Sequence, residues 1–548
     1  MNTKMWVTGT LLSLGVLSGV LPANAGMISA AGTAAETGTV AAIGGTAAAG
    51  TDSASSEASA PTPAAAAAQA VKTSSASSIT AFGAGWLLKN DGSFWIWDYN
   101  QSVPTQVPAL TGAVASYPGG FAVMNDGSIK HWYNDYYTPA ITVEPVSGIS
   151  SIADVQIWNN TVVADTEGAV HVMVRTDDPY ISAIPPEDEV VFVPLEGIDH
   201  VTDIGRFSEI RSDMIDTRNT FLKDDGTVWV DDGKLKTIAP IVNLQNIVQV
   251  AENYALDKDG AVWTWPDSYA YDLPAGGTIA TKFSALPSIR SIKHNKNSTL
   301  AIDSQSQLWF WGGTVTGYSD GWVYENHPDP VLIKSLENVK DAFVVEHSLI
   351  VWTKDNKVYE TTIARDSMPS NPEFTLLAAD VTAILPDVRH MIMQKGDGSL
   401  WGWGVNKNAE LGYGDYEFMH ATPVPVQKPI AVSLNGENVP LTSGVITRGG
   451  QNFVPLRSFF DKLGAEIGFD GTTKLATVKR TDTSLPALSI SVNAKTGETR
   501  LNGQAVKLEN TPFTVNGVLY LPLRFISEKL GATVQWLPQE ERIAVTMK

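Results

Sequence analysis

The chain has 548 residues, no cysteine, and a formal charge of −20 from 38 Lys and Arg against 58 Asp and Glu. That length exceeds one compact core and predicts two or three folded units. The absent thiols exclude disulfides, a cysteine nucleophile, thiolate zinc sites and a lipidated cysteine, and the acidic balance excludes a general nucleic-acid binder working by phosphate neutralisation.

Lys4 precedes an apolar run from Leu11 to Val20 and then Ala23-Asn24-Ala25. A charged start, a short apolar stretch and small residues predict a secretory signal over residues 1–25, cleaved after Ala25. The run is shorter than the roughly 20 apolar residues a membrane-spanning helix needs, so no transmembrane segment is expected. The expected location is therefore secreted or cell surface. Residues 26–78 are nearly all Ala, Gly, Ser, Thr and Pro. They offer almost nothing to bury, which predicts a disordered linker.

From Ile79 one pattern returns: an apolar strand, a turn, alternating aromatics, a variable loop, then a short Pro and Val segment. LLKNDGSFWIW (Leu87 to Trp97), LKDDGTVWV (Leu222 to Val230), LDKDGAVWTW (Leu256 to Trp265) and QKGDGSLWGW (Gln394 to Trp403) are four of eight copies. Their turns fall at positions 92, 127, 168, 226, 260, 306, 356 and 398. A period of this size marks a repeat architecture. Asp-Gly supplies the positive backbone dihedral of a tight hairpin, and alternation sends Trp95 and Trp97 to one face and Phe94 and Ile96 to the other. Three or four short strands per copy, buried on both faces, predict a mainly β fold with a seven- or eight-bladed β-propeller over residues 79–428.

The stretch from Val381 to Gly414 resembles a regulator of chromosome condensation type repeat, through Trp403, Gly404, Asn406, Leu411, Gly412 and Gly414. The other seven copies keep the turn and aromatics and lose that loop signature. The resemblance implies a propeller, and the usual seven blades of that family leave open that one of the eight copies is degenerate or shared in closing the ring.

Residues 429–548 contain a second duplication: NFVPLRSFFDKLGAEIGF (Asn452 to Phe469) returns as VLYLPLRFISEKLGATVQW (Val518 to Trp536). Pro455 and Pro522 suit the first turn of a helix and Gly464 and Gly531 its stop. Leu456, Phe459, Phe460 and Leu463 form the apolar stripe of such a helix, and Arg457 with Asp461 and Arg524 with Glu528 are i, i+4 pairs. Two β-rich units with one helix each are expected, making a C-terminal α+β duplicated domain. It resembles the copper amine oxidase N-terminal domain, also called a stalk domain. The oxidase's catalytic pattern is not carried over: Asn253-Tyr254 is the nearest match to its quinone motif but is flanked by Val250 and Ala255, and no H-x-H occurs. The resemblance therefore implies a non-catalytic module without copper.

Eight histidines stand singly in different repeats, without paired ligand spacing. Phosphate-loop, nucleophile-elbow and dinucleotide signatures are also missing. No catalytic residue, metal or cofactor is expected. The variable loops YNDYYTP, PDSYAYDLP and TGYSDGWVYENHPDP instead mix aromatics with Asp and Pro, a composition of binding anchors. They nominate Tyr133, Tyr136, Tyr137, Tyr269, Tyr271, Tyr318, Trp322 and Tyr324 as partner-binding residues. The competing reading is that these rings pack back on the blade edges. From Lys428 onward 14 Lys and Arg face 10 Asp and Glu, so the tail is weakly basic. The expected function is an exported, non-enzymatic recognition protein whose loop face binds a protein or surface glycan. Its C-terminal domain would serve as spacer or cell-wall attachment. The alternatives are an inhibitor of a secreted enzyme and a polysaccharide-active enzyme using carboxylates in the central channel.

Overall fold

The computed structural model describes residues 78–547 apart from 136, 158–159, 175–188, 212–213, 270–276, 296, 317–323, 482–483 and 485. The expected signal and nearly all of the expected linker lie outside the described residues. Eight four-stranded antiparallel units follow one another over residues 79–106, 113–147, 154–194, 201–240, 247–282, 289–333, 339–378 and 381–425. The first strands of the third to sixth units are neighbours in turn, so the first strand of each unit lies nearest a common axis. Each seam between units holds its own buried apolar cluster. The eighth seam joins last to first, through Leu87, Trp95 and Trp97 against Ile392 and Leu400. The ring is thus a closed β-propeller of eight blades, in which every motif owns a complete blade and none is shared.

The alternation read from the first motif decides which neighbour each side chain meets. Phe94 and Ile96 pack toward the second blade beside Ala122 and Met124, whereas Trp95 and Trp97 pack toward the eighth. Burial on both faces follows because every blade is sandwiched between two others.

The turn in each motif also ties the blades together. At six seams a backbone N–H at the start of one blade donates to the turn carbonyl of the blade before: Gly112 to Gly92, Val201 to Gly168, Ile247 to Gly226, Ile289 to Gly260, Val339 to Ser306 and Val381 to Asn356. Four of these turn residues are glycines, and Ser306 and Asn356 take the same positive φ of 62 at the other two. Gly226 has φ +77, and a Cβ there would stand 2.8 Å from Asn246 Cα of the next blade. Gly226→Ala is expected to destabilise the fold by about 1–3 kcal/mol through the strained dihedral alone, measurable by thermal denaturation. Two seams depart from this scheme among the described residues. Between the second and third blades the outer strands Ile141–Ser147 and Val190–Pro194 pair in parallel. Between the eighth and first blades a loop and the C-terminal domain take over, as described below.

The aspartate of the motif fixes the aromatic that follows. Asp91 Oδ1 accepts the Ser93 hydroxyl at 2.6 Å, and Ser93 Oγ accepts Trp95 Nε1 at 2.8 Å. The same relay runs through Thr227 to Trp229 and through Ser399 to Trp401. Where the hydroxyl is missing, an aspartate just before the turn bonds the indole directly, as Asp257 does for Trp263 and Asp303 for Trp309.

The C-terminal domain is the expected duplicated α+β unit, and its two halves exchange strands. Strand Ala431–Leu434 of the first repeat lies parallel to Arg542–Met547 of the second, and Gln451–Pro455 pairs with Val518–Pro522. One core takes Leu456, Phe459 and Phe460 together with Leu523, Ile526 and Leu530. The duplicated halves are therefore interlocked in a single domain. The helix Leu523–Leu530 ends at Gly531, whose φ of 104 makes the left-handed stop. The equivalent Leu456–Phe460 is shorter, and tight turns carry the chain from there to Gly464. Of the two i, i+4 pairs, Arg524–Glu528 closes at 3.4 Å; none joins Arg457 to Asp461 among the described salt bridges.

The domain docks on the outermost strand of the first blade, Gln101–Gln106. Val103 is fully buried among Ile446, Phe453, Val515 and Tyr520. Gln101 donates to Thr442 O, and Thr105 Oγ1 accepts the Gly444 amide at 2.8 Å. The Lys89 ammonium, buried, meets Glu541 at 3.0 Å. An edge strand that would otherwise be open to pairing is thereby covered.

Candidate functional site

In a four-stranded meander the connections alternate between the two ends of the strands. The links between first and second strands and between third and fourth strands therefore emerge on one side of the ring, here called the loop side, and the Asp-Gly turns emerge on the other. All three aromatic loops are links between third and fourth strands, and they lie on the loop side. Tyr133 ends the strand Ile129–Asn134 of the second blade, 44% exposed, with its ring 5.6 Å from His131. Tyr137 follows, 89% exposed.

Both rings remain exposed, Tyr133 beside His131, and the backbone beneath them is pinned. Asp135 accepts the Tyr137 and Thr138 amides at 2.6 and 3.1 Å, which holds its carboxyl below the usual range. Asn100 of the first blade donates to Asp135 O and Thr138 O at 2.8 Å. Tyr269 and Tyr324 lie in the strands Ser268–Tyr269 and Tyr324–Ile333 of the fifth- and sixth-blade segments. Tyr136, Tyr271, Tyr318 and Trp322 lie outside the described residues. The second blade, which holds Tyr133 and Tyr137, stands three places from the fifth and four from the sixth, whose segments hold Tyr269 and Tyr324.

Near the axis, Asp154 and Asp203 of the third and fourth blades are 5% and 7% exposed. Asp154 accepts the Ile204 amide at 2.7 Å and its neighbour Val155 at 2.8 Å. It thereby caps the open inner edge of the next blade, as Gln249 does for Ile292 at 3.1 Å. Burial, then the charge of Asp154 and a hydrogen bond to it, push Asp203 up to about 8. The pair shares a proton at neutral pH, like any two carboxyls held this close away from water. They are convergent carboxylates of the kind a channel enzyme would need; Asp154 is occupied in joining blades, while Asp203 Oδ2 is buried without a hydrogen-bond partner among the described residues.

Because the folded pKa lies above the unfolded value near 4, the folded state holds the extra proton between them. The stability it contributes is complete below pH 4 and is lost as pH rises through about 8. Asp203→Asn is expected to flatten this loss, so that melting temperatures measured from pH 5 to 9 decline less steeply than in the parent chain.

One mixed group of ligand-type residues stands on the eighth blade: Asp415, Glu417 and His420 bring donor atoms within 4.8 Å of one another. Asp415 Oδ1 already accepts Asn406 Nδ2 at 2.7 Å and lies 3.1 Å from His420 Nε2. Asn406, fully buried, also accepts the Leu411 amide at 2.9 Å. This network folds the loop of residues 406–414 so that Leu411 fills the space beside Gly402 and Gly412 meets the Trp97 ring of the first blade. Trp97 Nε1 in turn donates to Glu410 O at 2.8 Å. The residues that carry the repeat resemblance thus close the ring.

Residues 433–545 match the copper amine oxidase N-terminal domain family. Protein pim1 of Schizosaccharomyces pombe is 23% identical over 265 residues, covering 40% of this chain and 49% of that protein, so the chain spans about half the length of the curated relative it matches. Among solved structures, yeast RCC1 (Prp20) is 14% identical, with 68% of this chain and 90% of that chain covered at a TM-score of 0.38. Human WBSCR16 is 14% identical, with 53% and 85% covered at 0.36. At these scores the fold rests on the sheet order and the closed seams. The chain joins an eight-bladed β-propeller, whose repeats resemble the regulator of chromosome condensation type, to a segment over residues 433–545 that matches the copper amine oxidase N-terminal domain family.

Proposed function

We propose that this is an exported, non-enzymatic recognition protein that binds a protein or surface glycan on the loop side of its propeller, with the C-terminal domain as spacer or cell-surface attachment. The observation that supports it is the second-blade loop, where Tyr133 and Tyr137 are held out to solvent on backbone fixed by Asn100 and Asp135. Exposed aromatics on rigid backbone lose little entropy when covered, which is how interface anchors work. Both axial carboxylates are buried and Asp154 already holds two backbone amides, which weighs against the channel-enzyme alternative.

The test compares the full chain with its Tyr133→Ala/Tyr137→Ala variant in capture from cell-surface fractions, followed by titration of the captured species. At least a tenfold weaker affinity is expected, since each anchor contributes on the order of 1 kcal/mol or more. Equal affinity of the two would remove this loop from the binding surface.

A further inference from the structure

The hairpin between the first two strands of the fourth blade is far longer than its counterparts. Val201–Arg211 and Met214–Lys223 pair over ten residue positions, against three to six in the other seven blades. Six of those pairs, from Arg206 opposite Asn219 to Arg211 opposite Met214, continue past the point where the fifth blade turns back. At about 3.4 Å per residue they carry the hairpin some 20 Å out of the loop side, next to the ring axis.

The projection is braced along its length. Arg218, buried, donates to Glu209 Oε2 from Nε at 3.0 Å and from Nη2 at 2.7 Å, and to Asp231 O. Phe207 meets Trp265 of the fifth blade edge to face at 5.7 Å. Higher up, Ile210 N donates to Asp267 O at 2.7 Å, and the strand Ser268–Tyr269 lies parallel to Ile210 and Arg211. A buried ion pair is an expensive way to stiffen a connection that a short turn would make. The bracing holds one feature in place: Ile210 and Ile215, directly opposite each other, are 40% and 69% exposed, and Ser208 beside them is exposed too.

The geometry points to this hairpin as a docking finger for a partner protein that has an apolar cleft ringed by basic residues. The cleft follows from the isoleucine pair, whose burial is favourable at about 0.8 kcal/mol per methylene. The basic rim follows from the charge of the ring as a whole: residues 79–427 hold 22 Lys and Arg against 45 Asp and Glu, while the finger segment 206–218 balances three Arg against three Asp and Glu. A field of that sign steers basic partners in and acidic ones away. The inference rests on the recognition reading above and names the partner's chemistry.

The test places a photo-crosslinking benzoylphenylalanine at position 215 of the full chain in the cells that produce it. The adduct is identified by mass spectrometry and the captured protein is purified. That protein is then titrated with the parent chain, with Ile210→Ser/Ile215→Ser and with Tyr133→Ala/Tyr137→Ala. The expected result is a basic protein whose affinity falls at least tenfold with the isoleucine variant and falls again with added salt, while the variant's melting temperature stays at the parent value. Should the isoleucine variant melt early, Ile215→Lys, which keeps the stem and reverses the charge preference, supplies the same readout. An adduct to a second copy of this chain, to lipid or to an acidic protein overturns the proposal, as does an affinity unchanged by either variant. Loss confined to the tyrosine variant overturns the finger and leaves the loop-side reading standing; no adduct at 215 and no tyrosine-dependent capture overturn both.

Discussion

Removing residues 429–548 is expected to lower the melting temperature of the propeller by roughly 10–20 °C and to make the ring prone to aggregation. The physical terms lie on the outer strand of the first blade. Without the C-terminal domain Val103 returns to water, losing about 1.5–3 kcal/mol of burial, and the strand Gln101–Gln106 becomes an unprotected edge. The closing cluster also loses Ala431 beside Trp95 and Trp97. A total of about 4–8 kcal/mol, at roughly 2.5 °C per kcal/mol for a domain of this size, gives the stated shift. Calorimetry of the truncated chain checks it, and an unchanged melting temperature would show that the ring is closed by its own blades alone.

The second large effect is electrostatic. Glu541→Gln leaves the Lys89 ammonium, 1% exposed at its side chain, without its carboxylate. Breaking a buried pair from one side costs about 3–5 kcal/mol, and the 23% exposure of Glu541 places this case toward the lower figure. Lys89→Met in the same background removes the stranded charge and is expected to restore most of the loss. Chemical denaturation of the two single variants and the double variant gives the coupling energy directly. Near-additive single effects would show that the ion pair does not couple the domains.

Much of the fold was readable in the residues because the motifs report local physics. A turn residue at positive φ is a property of a few neighbouring positions and recurs in every blade, and the aspartate that holds an indole recurs in five of the eight. The blade number was open only because the family resemblance favours seven; the seams resolve it, and seams are contacts between residues far apart in sequence. The interlocked halves of the C-terminal domain were hidden for the same reason, since a 67-residue offset looks alike whether the copies stand apart or exchange strands.

The candidate site was less legible. The aromatic loops announce themselves by composition, and Tyr133 and Tyr137 are indeed exposed. Nothing local in VTDIG says that Asp203 faces Asp154, because that meeting depends on how two blades are laid together. The length of the fourth-blade hairpin was likewise missed: the masking signal is an ordinary polar stretch, RFSEIRSDMIDTRNT, whose strand alternation is broken by charges that turn out to be paired inside it.

The manner of ring closure has a consequence in time. Lys89 in the first blade waits for Glu541, and Ala431–Leu434 finds its parallel partner only in Arg542–Met547. A growing chain therefore closes its ring with the eighth blade, through Ile392, Leu400 and the Trp97–Glu410 bond, while the outer strand of the first blade stays uncovered until the C-terminal domain follows. Glu541 and the strand Arg542–Met547 follow everything they fasten, so the cover over the first blade is the last part of the seam to be set.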